Sequence, residues 1–435
     1  MPQWRCGECM RIRKASLIDP DANGLYGTAA VALSLFVFAY STRFGPISIL
    51  AYYGLWLPLV LVDYRKVLGN YGRFVWIFAF VILACLSTFW SAAPGVTARA
   101  GIQYLSHIVC ALIAMRVIDI GTLTRGAIAG VAIVLLYSLL FGVHHYDPLD
   151  GTYSFVGAFA SKNQLGFYAS LGIYFAFMAV VVLGERGVWR AAAGGAGAIA
   201  AYSLFASQSA TSVLTTVAIL GLCVAMRAIT ALRPASRKGL FIGVAVFGGV
   251  AAVALIYAGV IDLVLGAFGK DSTLTGRTYL WQQGIEAAQA SPIFGIGYQA
   301  YWVQGFSEAE RLWEEFYITA RSGFHFHNTY IEAAVETGLV GLMLLTMLLL
   351  TAVFGQLKRL LSEDRDAEAM VLFGIAMLLL IRSFVEIDIM NPYHVGSFLL
   401  YFTAGKLTVA RRRQAVTWLW PGDGPTPAYR PRPSM

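Results

Sequence analysis

Apolar residues in this chain come in long blocks rather than in alternation. Polar, Gly and Pro positions divide them into runs at about 24–42, 46–63, 73–90, 99–116, 121–142, 164–184, 189–206, 210–231, 239–266, 328–354, 367–388 and 393–410. A helix of about 20 residues spans the roughly 30 Å hydrocarbon layer of a bilayer. The pattern therefore predicts an all-α polytopic membrane protein with about twelve transmembrane helices. Residues 1–23 form an N-terminal tail, 24–266 hold nine spans, 267–327 form one large loop, 328–410 hold three more spans and 411–435 form a C-terminal tail. The first run starts only after residue 23, lacks a small-residue cleavage site and is followed at once by a second run, so it reads as an anchor and not a signal peptide. The ending PGDGPTPAYRPRPSM is polar and Pro-rich, and it is expected to be disordered.

Within the large loop the periodicity predicts two helices. Residues 278–290 place Leu280, Trp281, Ile285 and Ala288 at helical spacing, and Ser291-Pro292 ends the run. Ser307 and Glu310 make a capping-box pattern ahead of Leu312, Trp313, Phe316 and Tyr317, so a second, amphipathic helix is expected to lie on the membrane surface. The loop reads as a small interfacial cap.

Composition agrees, with 58% hydrophobic and 13% charged residues in 435, which excludes a soluble globular class. Lys and Arg gather in alternate connections: the N-terminal tail, Arg65 to Arg73, Arg116 and Arg125, Arg186 and Arg190, Arg227 to Lys238, Lys358 to Arg365, and Arg411 to Arg413. Cytoplasmic loops carry such an excess, so both termini are read as cytoplasmic and the large loop as lying outside. The net charge of +8 is mostly this bias; it suits anionic membrane lipids and calls for no nucleic acid. Cys6 and Cys9 are one CxxC without a second pair, and they read as free thiols of the tail rather than as a zinc site.

The histidines change the picture further. His144, His145, His325, His327 and His394 fall in outer connections and His107 in the outer half of its span. In an extended Phe324-His325-Phe326-His327 the two histidines would share one face and the two phenylalanines the other. Asn328 suits the N-cap of the tenth span, which would leave the histidines at the positive end of a helix, although the segment also reads as part of an aromatic belt. At the same depth lie Lys162-Asn163, Arg277, Arg321 and Arg99; for Lys162 and Arg99, snorkelling to the headgroups is the alternative reading. Glu332 and Glu336 share a helix face and should point into the bundle or pair with bases. The outer loops contain no Asp-rich metal motif.

His327-Asn328 followed after nine residues by Gly338-Leu-Val-Gly341 resembles the motif of bacterial O-antigen ligases and O-antigen polymerases. The stretches DSTLTGRTYLW (271–281), SPIFGIGYQAYW (291–302), FHFHNTYIEAAVETGLVG (324–341) and GAFASKNQLG (157–166) are similar to the exopolysaccharide-polymerase branch of that family. The resemblance implies a GT-C-like architecture in the bacterial inner membrane with a large periplasmic loop. It further implies metal-independent glycosyl transfer, without a cofactor, from an undecaprenyl-diphosphate-linked glycan to a sugar hydroxyl of another repeat unit or of lipid A core. His327 matches the motif histidine and is the candidate base, and Arg277 is the candidate cation for the leaving diphosphate. His325, Lys162, Asn163, Arg321, Asn328, Glu332 and Arg99 are candidate substrate contacts. The second histidine of this branch leaves open which of His325 and His327 is the base, and the His394 loop could contribute. Polymerisation is the main reading, from the similarity to that one branch, and ligation is the alternative. A transporter is the rival class, suggested by buried charges such as Arg382, but transporters hold their site near the midplane, whereas these polar groups gather at one face.

Overall fold

A computed structural model describes residues 13–69, 75–147, 152–258, 266, 276–363 and 366–419. The paired cysteines of the tail, residues 267–275 at the start of the large loop and the Pro-rich ending lie outside them. The helices of nine residues or more are α1 Gly24–Trp56, α2 Val75–Leu86, α3 Pro94–Val117, α4 Ile120–Phe141, α5 Lys162–Phe177, α6 Gly187–Ser207, α7 Ala210–Thr230, α8 Pro234–Tyr257, α9 Arg277–Ala290, α10 Ser307–Glu315, α11 Thr329–Ser362, α12 Ala367–Ser383 and α13 Val395–Leu419. Among the described residues six helical stretches are long and apolar enough to cross a membrane, from Gly24–Val62 to Thr329–Ser362. The main body is thus a helical membrane bundle. Helix α1 is interrupted at Gly45, whose φ is 64°, just before Pro46, where the sequence places the gap between its first two spans.

The bundle has two chemically different ends. Ser209 caps the start of α7, and 21 residues later, about 32 Å along the axis, the helix reaches the Arg227 end. At that end Arg237, buried, donates to the carbonyls of Leu360 and Glu363 at the close of α11. The start of α11 and the close of α12 lie at the opposite end, where Asn328 bonds the carbonyl of Phe384. The histidine segment and the arginine-rich connection therefore sit at opposite ends of the same helices.

Four features differ from the sequence reading. A two-stranded antiparallel hairpin, β1 Val143–Asp147 and β2 Thr152–Gly157, joins α4 to α5, with His144 stacked on Tyr153. A short two-strand pair satisfies its own backbone, so this connection needed no apolar block to announce it. The helix of the predicted last span continues past residue 410, since α13 runs on to Leu419 into the predicted disordered tail, while its apolar stretch is Val395–Val409. Ser307 forms no cap; Glu310 instead accepts from the Gly305 amide. Finally, α10 buries Ala309, Leu312 and Trp313 in a core of the cap itself, with Leu280, Tyr301 and Phe326, rather than spreading them on the bilayer. A closed aromatic core removes more apolar surface from water than a helix lying flat, and the same packing turns Ile285 outward and Gly284 inward.

The cap is joined to the bundle by backbone. Helix α11 breaks at Gly338, with φ 66° and ψ −170°, after its first nine residues. The segment before Tyr298 docks against this break. Amides of Leu339 and Val340 donate to the carbonyls of Pro292 and Ile293, and amides of Ile296 and Gly297 donate to Val335 and Glu336. An added Cβ on Gly338 would lie 2.3 Å from backbone atoms of Ile293, and one on Gly295 would lie 2.4 Å from Glu336. The GLVG and FGIG motifs are the two halves of one backbone junction, at which glycine permits both the positive φ and the close approach.

Candidate active site

The strip from Phe324 to Thr329 enters α11 after a turn. Asn328 is its N-cap, the side-chain oxygen accepting from the amides of Tyr330 and Ile331. His327 takes a left-handed conformation, φ 52°, so the strip bends there instead of continuing as a flat strand. The two imidazoles still meet, with ring centroids 4.1 Å apart. Between them Phe326 is fully buried in the cap core, which is worth about 1.5–3 kcal/mol for such a ring. Its amide donates to Glu332 Oε2 at 2.8 Å, and its carbonyl accepts from Trp281 Nε1 at 2.9 Å. Trp302 donates to the other Glu332 oxygen at 2.8 Å. The histidines flank a residue anchored by ring and backbone.

Opposite them stands Glu386, in the turn between α12 and α13. The predicted span ran to residue 388, but α12 ends at Ser383, which frees this carboxylate from the helix. Oε1 accepts from Asn163 Nδ2 at 2.8 Å and pairs with Arg277 Nη2 at 3.2 Å. Oε2 lies 3.5 Å from His327 Nδ1 and 3.8 Å from His325 Nε2. Its carbonyl accepts from Thr329 Oγ1 at 2.6 Å, and Arg277 Nη1 reaches the neighbouring Val385 carbonyl at 3.2 Å. Three separate segments thus converge on one acid.

A buried polar chain braces the turn from behind. Asn163 accepts from Ser209, Ser209 bonds Ser212, and Ser212 accepts from Arg382, itself paired with Asp388 and lying 4.0 Å over the ring of Phe167. Arg382, 1% exposed, has its charge matched and its stem packed, a structural brace rather than a transport site.

Burial alone would raise the Glu386 carboxyl, but His327, Arg277 and His325 outweigh it and hold it well below the usual carboxylate range. Burial, with His327 beside it, pushes the His325 imidazole well below its ordinary value, and burial also lowers His394 against the opposing charge of Asp388. An amide can only donate, so the bond from the His327 N–H to His325 Nδ1, 3.0 Å, leaves that nitrogen unprotonated. The set His325, His327 and Glu386 brings three possible ligand atoms within 4.8 Å of one another, the one such group among the described residues. A metal at His325 Nε2 would require the proton to move to Nδ1 and the amide bond to break. As it stands, the arrangement offers a histidine beside a carboxylate and a guanidinium a few ångströms away, which is equipment for moving a proton next to an anion.

Comparison with known proteins bears on what this equipment serves. Residues 195–346 match the family model Wzy_C, described as O-Antigen ligase. The chain is 78% identical over 422 residues, 97% of its length and 97% of the relative's, to the exopolysaccharide production protein ExoQ of Rhizobium meliloti (strain 1021). This chain belongs to the ExoQ-like O-antigen ligase and polymerase family. A stretch of 135 residues, 31% of the chain and 29% of the relative, is 25% identical to an uncharacterized protein of Haemophilus influenzae. Membership makes the chain a membrane protein of polysaccharide biosynthesis, among enzymes that transfer glycosyl groups.

Of the residues singled out in the family motifs, the fold gathers His325, His327, Arg277 and Asn163 around Glu386, with Asn328 and Lys162 at the adjoining helix starts. Glu332 is drawn away from substrate contact and braces Phe326, and its neighbour Glu336, buried on the same face, pairs with no base among the described residues. Arg321 is not brought to Glu386: it pairs with Glu310 at 2.8 Å and Glu314 at 3.7 Å, because those acids on α10 lie nearer. Arg99 is exposed on α3, and no bond joins it to the cluster among the described residues. His107 is a packing residue, between the Tyr52 hydroxyl and the His394 carbonyl. Glu386 escaped the sequence reading because it stood inside an apparent span; an acid so near a span's end was the signal available.

Proposed function

We propose that this protein polymerises lipid-linked repeat units, by moving a glycan from undecaprenyl diphosphate to a sugar hydroxyl of a second repeat unit at the periplasmic face of the inner membrane. The observation that carries the reading is the convergence of His327 and Arg277 on Glu386 at the cap–bundle junction, the end of the helices opposite the arginine-rich connection. In the step, the acceptor oxygen bonds to the anomeric carbon as the bond from that carbon to the diphosphate breaks. The electron pair leaves with the diphosphate, and the acceptor proton passes to His327. Arg277 meets the growing charge on the diphosphate through donors beyond its two bonds to Val385 and Glu386, with Lys162 at the start of α5 as a second cation. Fixed cations do this work, so the transfer is proposed to need no divalent metal. Twelve spans, with both termini in the cytoplasm and the segment from 267 to 327 in the periplasm, complete the reading, and the alternation of basic connections supports it.

The description of the matched family as a ligase favours a second reading, transfer of the glycan to lipid A core. Purified protein incubated with a lipid-linked repeat unit, with and without lipid A core, separates the two. A ladder of lipid-linked products without core supports polymerisation; a single product that forms only with core overturns it in favour of ligation.

A further inference from the structure

We infer that Glu386 is the positioning residue of this site, holding the His327 imidazole with its proton on Nδ1 so that Nε2 is the basic nitrogen that meets the acceptor hydroxyl. The inference rests on the reading of His327 as the base and adds which atom acts and what orients it.

The argument starts from the two oxygens of the carboxylate, which the fold has assigned different work. Oε1 is held by Asn163 and Arg277, and both are themselves fixed: Asn163 by Ser209, Arg277 by the carbonyl of Val385. The backbone of Glu386 is held too, its carbonyl by Thr329 and its amide by the carbonyl of Arg382. Only Oε2 faces the histidines. A carboxylate ionised beside the Arg277 guanidinium accepts and does not donate, so the nearest ring nitrogen, His327 Nδ1 at 3.5 Å, is favoured in its N–H form. A neutral imidazole carries one proton, which leaves the lone pair on Nε2. When Nε2 takes the acceptor's proton, the imidazolium lies beside a full negative charge that needs no rearrangement to stabilise it.

His325 does not compete for this role. Its Nδ1 is occupied by the His327 amide, so its proton is on Nε2, 3.8 Å from the same Oε2. Receiving a second proton at Nδ1 would break the bond that shapes the His327 turn. Burial and the adjacent His327 oppose a charge on it as well. His325 therefore acts as a neutral spacer whose amide contact sets the backbone of its neighbour. Arg277, His325 and His394 are the other titratable groups whose charge reaches this cluster, and two of them already face Glu386 or His325 directly.

The test is a double-mutant cycle on the full-length protein in detergent or nanodiscs, with the lipid-linked repeat unit as substrate. Glu386→Gln keeps the size and the Oε1-type acceptor but turns an N–H donor toward the imidazole, favouring the wrong tautomer. The expected result is a fall in kcat of about 10²-fold or more with little change in KM, the scale of losing a positioned base. Glu386→Asp is expected to recover part of the rate. In a His327→Ala background Glu386→Gln should add no further loss, because residues acting as a unit are not additive. Melting temperatures of the same samples identify any variant that has lost its fold, and Glu386→Asp then carries the kcat comparison alone. A loss from Glu386→Gln that multiplies with that of His327→Ala would overturn the inference, as would full turnover in Glu386→Gln beside an inactive His327→Ala. Full turnover in His327→Ala would instead overturn the reading of the base.

Discussion

Replacing Gly338 by alanine probes the junction that holds the cap on the bundle. At φ 66° and ψ −170° the backbone occupies a region left essentially to glycine, and forcing another residue there costs about 1–3 kcal/mol. The added Cβ would also lie 2.3 Å from the carbon and oxygen of Ile293 and 2.4 Å from the amide nitrogen of Phe294. These are backbone atoms, which cannot swing aside as a side chain would. The 292–297 segment must retreat by about 1 Å to reach ordinary van der Waals distance. That movement stretches the bonds from Leu339 to Pro292, 2.8 Å, and from Val340 to Ile293, 3.2 Å, each worth about 0.5–1.5 kcal/mol net. Together these effects amount to about 2–6 kcal/mol. The expected outcome is a melting temperature several degrees lower in detergent, followed by tryptophan fluorescence, since Trp302 and Trp313 both lie in the cap. Polymer formation should fall as well, because Glu332, which holds Phe326 between the histidines, belongs to the short piece of α11 before the break. Gly221→Ala is the control: nothing lies within 4 Å of its added Cβ, and alanine favours a helix. A Gly338→Ala protein that melts like the unaltered one would refute the backbone-junction account.

His327→Ala should reduce polymer by about 10²- to 10⁴-fold while His325→Ala, measured by the same gel of lipid-linked products, loses less; the reverse order would move the base to His325. Arg277→Lys keeps the charge but loses the forked geometry that serves Glu386 and a phosphate at once, so a partial loss is expected there and a severe one for Arg277→Ala. Turnover should survive excess chelator; activity abolished by chelator and restored by a divalent metal would show that His325, His327 and Glu386 hold an ion. Single cysteines labelled with an impermeant reagent should react from the periplasm at position 317, which is 71% exposed on the cap, and not at position 238.

Much of the fold was legible as pattern. Apolar blocks of about 20 residues demand helices in a bilayer, where the backbone must bond to itself. The Asn328 cap and α9 followed from local rules, because a cap and a helical period depend on residues within a turn or two of one another. The His325–His327 pairing was legible for a related reason, although the turn at His327, and not a flat strand, brings the rings together. The cap core was misread, since a sequence does not say whether an amphipathic face will meet lipid or another aromatic face.

What tertiary structure alone decided is the partner of each charge. Arg277 and Arg321 are both arginines of the same large loop, yet one meets Glu386, 109 positions away, and the other meets Glu310 and Glu314 in the cap. Ion pairs form where chain folding makes distances short, and sequence separation carries no information about that. The same holds for Glu386, which a hydropathy pattern counts inside a span until the end of α12 at Ser383 releases it into a turn. By itself the sequence determined the chemistry gathered at one end of the bundle; the packing of three segments around one carboxylate determined which nitrogen, which oxygen and which cation face one another.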